Sequence, residues 1–461
     1  MGASIPPNDK PIERFDELLD VFVSAEKPRT EWRVGAEMEK FGVVAATGEP
    51  INYNGKRGVA RILEALADRF GWRRDYEYDG APLIALVRDG ASITLEPGSQ
   101  LELSGAPLVH AHQVCAEFSA HLRELRVVCT DEGADEPAIR WLGLGFHPFA
   151  RRSDLFFVPK QRYGIMREYL PTRGSLAHDM MLRTSTVQAN FDYLSEADAL
   201  KKMRVSLKTA PIITAIFANS PFYEGKPFGG KSYRAKVWLD VDPDRSGLVP
   251  GMWKKDASYR DYVEWALDAP MFMVKRGGEK VHNTGQTFRS FWKDGFEGHR
   301  ALFSDWVTHL NTLFPEVRLK KTIEVRGADA QGATLSCALP ALTTGMLYDD
   351  DALGELDEMT RDWTLEDVTE ARKHVWKEGL GAPFRGGTLK PHAERIMAIA
   401  SGGLERRHHL SAAGKDERSH LAKLQEMVAA GRSPADLLLE GLDKATDLRA
   451  EIMKRTDLGW G

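Results

Sequence analysis

Thr322-Ile323-Glu324-Val325-Arg326 alternates β-branched apolar residues with ionised ones. Side chains two apart on a strand share a face, so Glu324 and Arg326 point the same way. The pattern recurs elsewhere in the chain. In Trp32-Arg33-Val34-Gly35-Ala36-Glu37-Met38-Glu39 the apolar Trp32, Val34, Ala36 and Met38 occupy one face and leave Glu37 and Glu39 on the other. Ile93-Thr94-Leu95-Glu96 and Gln100-Leu101-Glu102-Leu103 alternate likewise, and Val187-Gln188-Ala189-Asn190-Phe191 repeats the arrangement without charge. A period of two over short segments predicts half-buried strands, here with a polar and mostly acidic face.

If these strands share a sheet, Glu37, Glu39, Glu96, Glu102 and Glu324 converge on a small volume. Two carboxylates about 5 Å apart repel by roughly 3 kcal/mol at an effective dielectric of about 20. Several such pairs amount to a large fraction of a folding stability of roughly 5–15 kcal/mol. The groups must protonate, separate or bind metal. Hard oxygen donors without a nearby Cys and His cluster favour magnesium, with manganese second, over zinc. Magnesium in turn brings phosphate chemistry, because it bridges carboxylates and nucleotide phosphates. The alternative is that each strand presents a merely solvated outer face. Glutamate recurring where threonine or lysine is more usual weighs toward convergence.

At 461 residues, with 43% hydrophobic and 28% charged residues, the chain can bury a sizeable core. A net charge of −5 argues against general nucleic-acid binding, and the short run Arg406-Arg407-His408-His409 does not reverse it. The longest apolar stretches, such as 210–218, fall short of the ~20 residues that span a bilayer, so no membrane association is expected. The N-terminal residues show neither a signal core nor a transit character, which predicts a cytoplasmic protein. Cys115, Cys129 and Cys337 are too few for a disulfide framework, and buried, unreactive thiols are expected.

Periodicity predicts helices over residues 11–25, 58–70 and 110–128, and a buried strand over 141–146. Ser195-Glu196-Ala197-Asp198 reads as an N-cap with an acid three residues on, opening a helix to about Ala218 that Pro211 kinks. Thr364-Leu365-Glu366-Asp367 and Ser433-Pro434-Ala435-Asp436 open later helices by the same device, and Leu421–Ala430 and Leu437–Leu448 read as helical. The fold class expected is α+β, with a mainly antiparallel sheet flanked by helices. It forms a single catalytic domain, with an N-terminal helix in residues 1–28, a sheet-containing core over 29–350 and a mainly helical part over 351–461.

Gly225-Lys226-Pro227-Phe228-Gly229-Gly230-Lys231-Ser232 satisfies the G-x-x-x-x-G-K-[ST] pattern of a phosphate-binding loop. Its surroundings differ from those of such a loop, which follows a buried strand and opens a helix. Here Asn219-Ser220-Pro221 precedes, and residues 233–239 alternate like a strand. The expectation is a loop beside the active site in which Arg234 matters more than Lys231.

The strings Gly35-Ala36-Glu37-Met38-Glu39-Lys40-Phe41-Gly42, Leu95-Glu96-Pro97-Gly98-Ser99-Gln100-Leu101-Glu102-Leu103-Ser104-Gly105-Ala106-Pro107 and Asp179-Met180-Met181-Leu182-Arg183-Thr184-Ser185-Thr186-Val187-Gln188 resemble those of plant-type glutamate–cysteine ligases. So do Phe217-Ala218-Asn219-Ser220-Pro221-Phe222, Glu324-Val325-Arg326-Gly327-Ala328-Asp329 and Leu347-Tyr348-Asp349-Asp350-Asp351. The likeness runs in order over roughly residues 30–440. It implies a curved, glutamine synthetase-like sheet and ATP as co-substrate. The reaction implied joins the γ-carboxylate of glutamate to the amine of cysteine through a γ-glutamyl phosphate, the first step of glutathione synthesis. Small-molecule partners follow, in a monomer or a homodimer.

The same resemblance implies that Glu37, Glu39, Glu96, Glu102, Gln188 and Glu324 hold magnesium, a structural hydrogen bond being the other reading of Gln188. Arg326, beside Glu324, would stabilise the transferred phosphoryl group through its planar fork. Arg234 and Arg162 match positions that contact substrate carboxylate or phosphate. For Arg162 a surface ion pair is the rival reading, Arg183 either binds substrate or braces its strand, and Asn190 shares the inward face of Gln188. Missing a plastid extension, the sequence resembles a cytosolic form of the enzyme. Plant members couple redox state to activity through disulfides; with three cysteines a two-bridge switch is impossible, and one bridge needs a Cα separation of about 4.4–6.8 Å. Three other readings stay open: an ATP-dependent γ-glutamyl ligase for another amine, a magnesium-dependent phosphate-ester hydrolase, and a noncatalytic metal-binding scaffold.

Overall fold

The computed structural model describes residues 9–276 and 279–459. The alternating segments become neighbours in one nine-stranded sheet. Its strands are β1 (Val34–Val44), β2 (Arg73–Asp75), β3 (Ala85–Arg88), β4 (Ala91–Leu95), β5 (Leu101–Ser104), β6 (Ile139–Leu142), β7 (Val187–Phe191), β8 (Val317–Leu319) and β9 (Ile323–Val325). They run in the order β8-β9-β7-β1-β5-β4-β3-β2, while β6 pairs with Phe41–Val44 of β1. Every pairing in this sheet is antiparallel.

One face of the sheet packs on the main core. Val34, Ala36 and Met38 of β1, Leu101 and Leu103 of β5, and Val187 and Ala189 of β7 are buried there. Helices Ala111–Cys129 and Ala338–Leu347 pack against β1 from behind. A second core gathers the N-terminal helix Phe15–Val23 with Tyr259, Tyr262 and Trp306. The other face of β1, β5 and β7 carries the polar side chains.

Capping chemistry places the long helices where their sequences begin them. Ser195 Oγ accepts from Asp198 N at 3.4 Å and opens Glu196–Ile216, which runs through Pro211. Thr364 and Asp367 form a capping box at Leu365–Glu378. Three expectations are corrected. Residues 233–239 are not a strand, because Ser232 Oγ accepts from Ala235 N at 3.0 Å and starts the helix Tyr233–Val237. The helix expected over 437–448 is interrupted by Gly441, whose φ of +63° ends Pro434–Leu439, and a new helix forms at Leu448–Thr456. The strand expected over 141–146 stops at Leu142.

Cys115 and Cys337 are joined by a disulfide with a Cα separation of 5.6 Å, which overturns the expectation of unreactive thiols there. Cys129 alone remains a free buried thiol, its pKa pushed up to about 12 by burial. Among the described residues, no helix is long and apolar enough to cross a membrane.

Candidate active site

Strand register sets the acids in rows. Ser104, Glu37 and Gln188 are direct partners across β5, β1 and β7, and two residues further along β1 Glu39 faces Glu102. Asn190 of β7 faces Glu324 of β9. Glu96 lies just past β4, in the turn to β5. A Cβ on Gly98 would stand 2.3 Å from the Leu182 carbonyl oxygen, so only glycine lets this turn close on the helix Ala177–Arg183. Gln100 locks the same turn: its Oε1 accepts from Gly98 N and its Nε2 donates to Thr184 O, both at 2.8 Å.

Glu37, Glu39 and Glu102 are all driven toward the protonated form, and loss of hydration is the main cause in each. The charges of Glu324 and Glu102 help push Glu37 up to about 7. Glu96 and Glu102 hold Glu39 well above the usual carboxylate range. Glu96 also raises Glu102, although the Ser104 hydroxyl donates to that carboxylate. At the Glu96 edge stand Lys160 and Tyr163. Burial and Arg162 lower the lysine, and the tyrosine hydroxyl donates to Leu95 O at 2.8 Å.

Glu324 behaves in the opposite way. Burial alone would raise it, but Arg318, Lys320 and Arg326 together hold it well below the usual range. Its Oε2 accepts from Arg318 Nε and Arg326 Nη1, and its Oε1 from Lys320 Nζ, each at 2.7 Å. The sequence places Glu324 among the metal ligands; in the structure both oxygens are spent on three cations. Gln188 shows a similar difference, because its Oε1 accepts from Arg326 Nη1 at 2.6 Å. Its Nε2 donates to Glu39 at 3.4 Å, so the amide links the acids to the arginine. Asn190 Nδ2 donates to Glu37 Oε1 at 3.2 Å.

Arg234 is reached through a buried knot. Asp329 Oδ2 accepts from Asn219 N at 2.8 Å and Ser220 Oγ at 2.7 Å, and its Oδ1 from Ser232 Oγ at 2.9 Å. These bonds draw together three of the sequence strings and set the Tyr233–Val237 helix so that Arg234 Nη2 donates to Arg326 O at 2.9 Å. Beside Arg326 opens a cleft lined by Arg234, Trp238, Phe314, Glu316 and Arg372.

The structure therefore brings together Glu37, Glu39, Glu96, Glu102, Gln188, Asn190, Glu324, Arg326 and Arg234. Arg162 joins them at the Glu96 edge through its charge on Lys160 and Tyr163. Arg183 stands apart: it is 1% exposed, pairs with Asp179 at 3.0 Å and Glu224 at 3.5 Å, and lies over Phe146 and Tyr223. Lys231 pairs with Asp436, and Lys226-Pro227 forms a hairpin with Phe222-Tyr223, as suits a structural loop. Arg318, Lys320, Lys160 and Arg372 escaped the sequence reading. For the first two the signal exists, since Val317-Arg318-Leu319-Lys320 carries the same alternation as the strand after it.

Carboxylates buried or half-buried on one floor, with arginines at one end, form the kind of site in which an enzyme brings anions and cations together. The chain belongs to the family described as Glutamate-cysteine ligase family 2, which it matches over residues 33–454. It is 44% identical to the chloroplastic glutamate–cysteine ligase of Brassica juncea, over 95% of this chain and 84% of that enzyme. It is 43% identical to the chloroplastic enzyme of Arabidopsis thaliana, over 95% of this chain and 82% of that one. A crystal structure of a bifunctional glutathione synthetase from Pasteurella multocida is similar with a TM-score of 0.49 and 13% identity, covering 96% of this chain and 52% of that chain. The plant relatives are named as chloroplastic enzymes, which overturns the cytoplasmic location expected from the N-terminal sequence.

Proposed function

We propose that this chain is a glutamate–cysteine ligase whose active site is the acidic face of β1, β5 and β7. ATP phosphorylates the γ-carboxylate of glutamate, and the amine of cysteine displaces phosphate from the acyl phosphate. The observation that carries this reading is the row of carboxylates, buried at Glu39 and Glu102 and half-buried at Glu37 and Glu96, that ends at Arg326. Glu37, Glu39 and Glu102 are oxygen donors raised toward protonation first by burial and then by neighbouring carboxylates, and a divalent cation offsets both. Together with Glu96 they are the set that suits magnesium, which when bound neutralises charge on the nucleotide phosphates.

The chain's own residues do the rest. Arg326 is fixed through its Nη1 by Gln188 and Glu324, so its fork would lose little freedom on binding phosphoryl oxygens. Arg234 holds the backbone of Arg326 in place and lines the adjoining cleft, where Trp238 and Phe314 offer apolar walls to a nucleotide base. Lys320 adds a second cation within reach of Glu37. ADP release from ATP with magnesium and glutamate, assayed while the amine is varied, tests the reading. Release that requires cysteine supports it. Release without any amine favours a phosphate-ester hydrolase, and equal rates with unrelated amines favour a ligase of another specificity.

A further inference from the structure

On the core side of the sheet, away from the carboxylates, segments far apart in sequence bring two cysteines and a histidine together. Cys115 lies in the first turns of the helix Ala111–Cys129. Cys337 sits between the helices Ala333–Ser336 and Ala338–Leu347, and His420 ends the 3-10 turn Glu417–His420. His420 Nδ1 stands 3.5 Å from Cys115 Sγ, and the ligand atoms of the three residues lie within 4.8 Å of one another. The other ring nitrogen, Nε2, is 2.8 Å from His112 Nδ1, while His112 Nε2 is 3.3 Å from the His409 carbonyl oxygen.

This chain of contacts fixes which ring nitrogens donate and which accept. A carbonyl oxygen only accepts, so His112 carries its proton on Nε2 and leaves Nδ1 bare. That bare nitrogen accepts from His420 Nε2–H, which leaves the lone pair of His420 Nδ1 facing the sulfur. A disulfide sulfur has no hydrogen to give, and the lone pair is left without a donor.

We propose that reduction of the Cys115–Cys337 disulfide turns this cluster into a zinc site. The ligands are the two thiolates and His420 Nδ1, with water as the fourth. Thiolate and imidazole select zinc over magnesium. Bond lengths of ~2.3 Å to sulfur and ~2.0 Å to nitrogen put tetrahedral donor atoms roughly 3.3–3.8 Å apart; the 3.5 Å between His420 Nδ1 and Cys115 Sγ already fits, and the two sulfurs part to that range once their bond is reduced. His112 accepting from the far side of His420 is the orienting contact that metal-bound histidines use. The redox step balances with a dithiol reductant. It gives two electrons and two protons to the disulfide and becomes a disulfide itself, and zinc then displaces both thiol protons to solvent. The chain thus carries a hard-metal pocket on one face of its sheet and a soft-metal site behind the other.

The test uses full-length protein, oxidised or dithiol-reduced and freed of reductant, with magnesium in excess to occupy the acidic pocket. Cobalt(II) is titrated as the probe, then displaced by zinc. A thiolate-to-cobalt charge-transfer band saturating at one equivalent is expected in the reduced protein alone. Carboxylate sites give no such band. Cys337→Ser should abolish it, His420→Gln should weaken zinc affinity at least ten-fold, and Cys129→Ser should leave it unchanged. The comparison of oxidised with reduced wild type stands even where a variant folds poorly, near-ultraviolet circular dichroism reporting the fold. A reduced, folded protein without the band, equal bands in both redox states, or a band that survives Cys337→Ser would overturn the proposal.

Discussion

Glu37 and Glu324 interact across the same pocket yet shift in opposite directions, because Glu324 is bonded directly to three cations while burial and like charge prevail at Glu37. The sign of each pH dependence follows. A carboxyl raised in the folded state contributes stability that is present below its unfolded pKa and is lost as pH rises through its folded one. For Glu37 that loss runs from the ordinary carboxylate range up to about 7. Magnesium should therefore raise the melting temperature more at pH ~7.5 than at ~5.5, with protons released on binding. Glu37→Gln should flatten that increment, and calorimetry in buffers of different ionisation heat reads the proton count. Glu324 is fully buried, and Glu324→Gln leaves Arg318, Lys320 and Arg326 without their shared counterion. Urea unfolding should show a loss of about 3–5 kcal/mol, so this variant reports on folding before it reports on turnover. The acids were legible from alternation, since each falls on the polar phase of its strand. Lys40 was not. It falls on the core phase of β1, where its Nζ, 3.0 Å from Met38 O and 3.1 Å from His121 Nε2, is lowered to about 7 by burial, and nothing in the local pattern announces those partners.

Among the elements, the hairpin and short helix around residues 222–237 carry a phosphate-loop pattern without its setting. Glu224 and Gly225 both adopt positive φ at the hairpin tip, and Lys231 is tied to Asp436 at the far end of the chain. Lys231→Ala should lower stability by less than about 1 kcal/mol, as a partly exposed pair does, and leave ADP release within a few-fold of wild type. Loss of all activity with the fold intact would restore the phosphate loop. Gly98→Ala should be far more damaging, since its Cβ would meet the Leu182 carbonyl and push the Glu96 turn away from the floor. Steady-state rates at saturating magnesium, with thermal melts beside them, separate displacement of Glu96 from unfolding. Helices opened by Ser195, Thr364 and Ser433 were legible because a cap is a local interaction. The helix at residues 233–237 was hidden by its alternating sequence, and the break at Gly441 by apolar spacing that continues on either side of it.

At the scale of the molecule, the disulfide joins the helix behind β1 to the helix behind β7 across a sequence separation of 222 residues. Closing so long a loop restricts the unfolded chain, so reduction without added zinc should lower unfolding stability by about 2–5 kcal/mol, read as a shifted denaturation midpoint in dithiol. That the alternating segments are strands could be read from their own residues. That β7 inserts between β1 and β9 could not, because side-chain period says nothing of which strand lies beside which. The sheet order has a cost during synthesis. β1 leaves the ribosome with β5 soon to follow, but the neighbour for its other edge arrives only after several intervening helices, and β9 much later still. The nascent chain must carry an open strand edge lined with acids until then, and those like charges give a half-made sheet a built-in deterrent to pairing with its neighbours on the polysome.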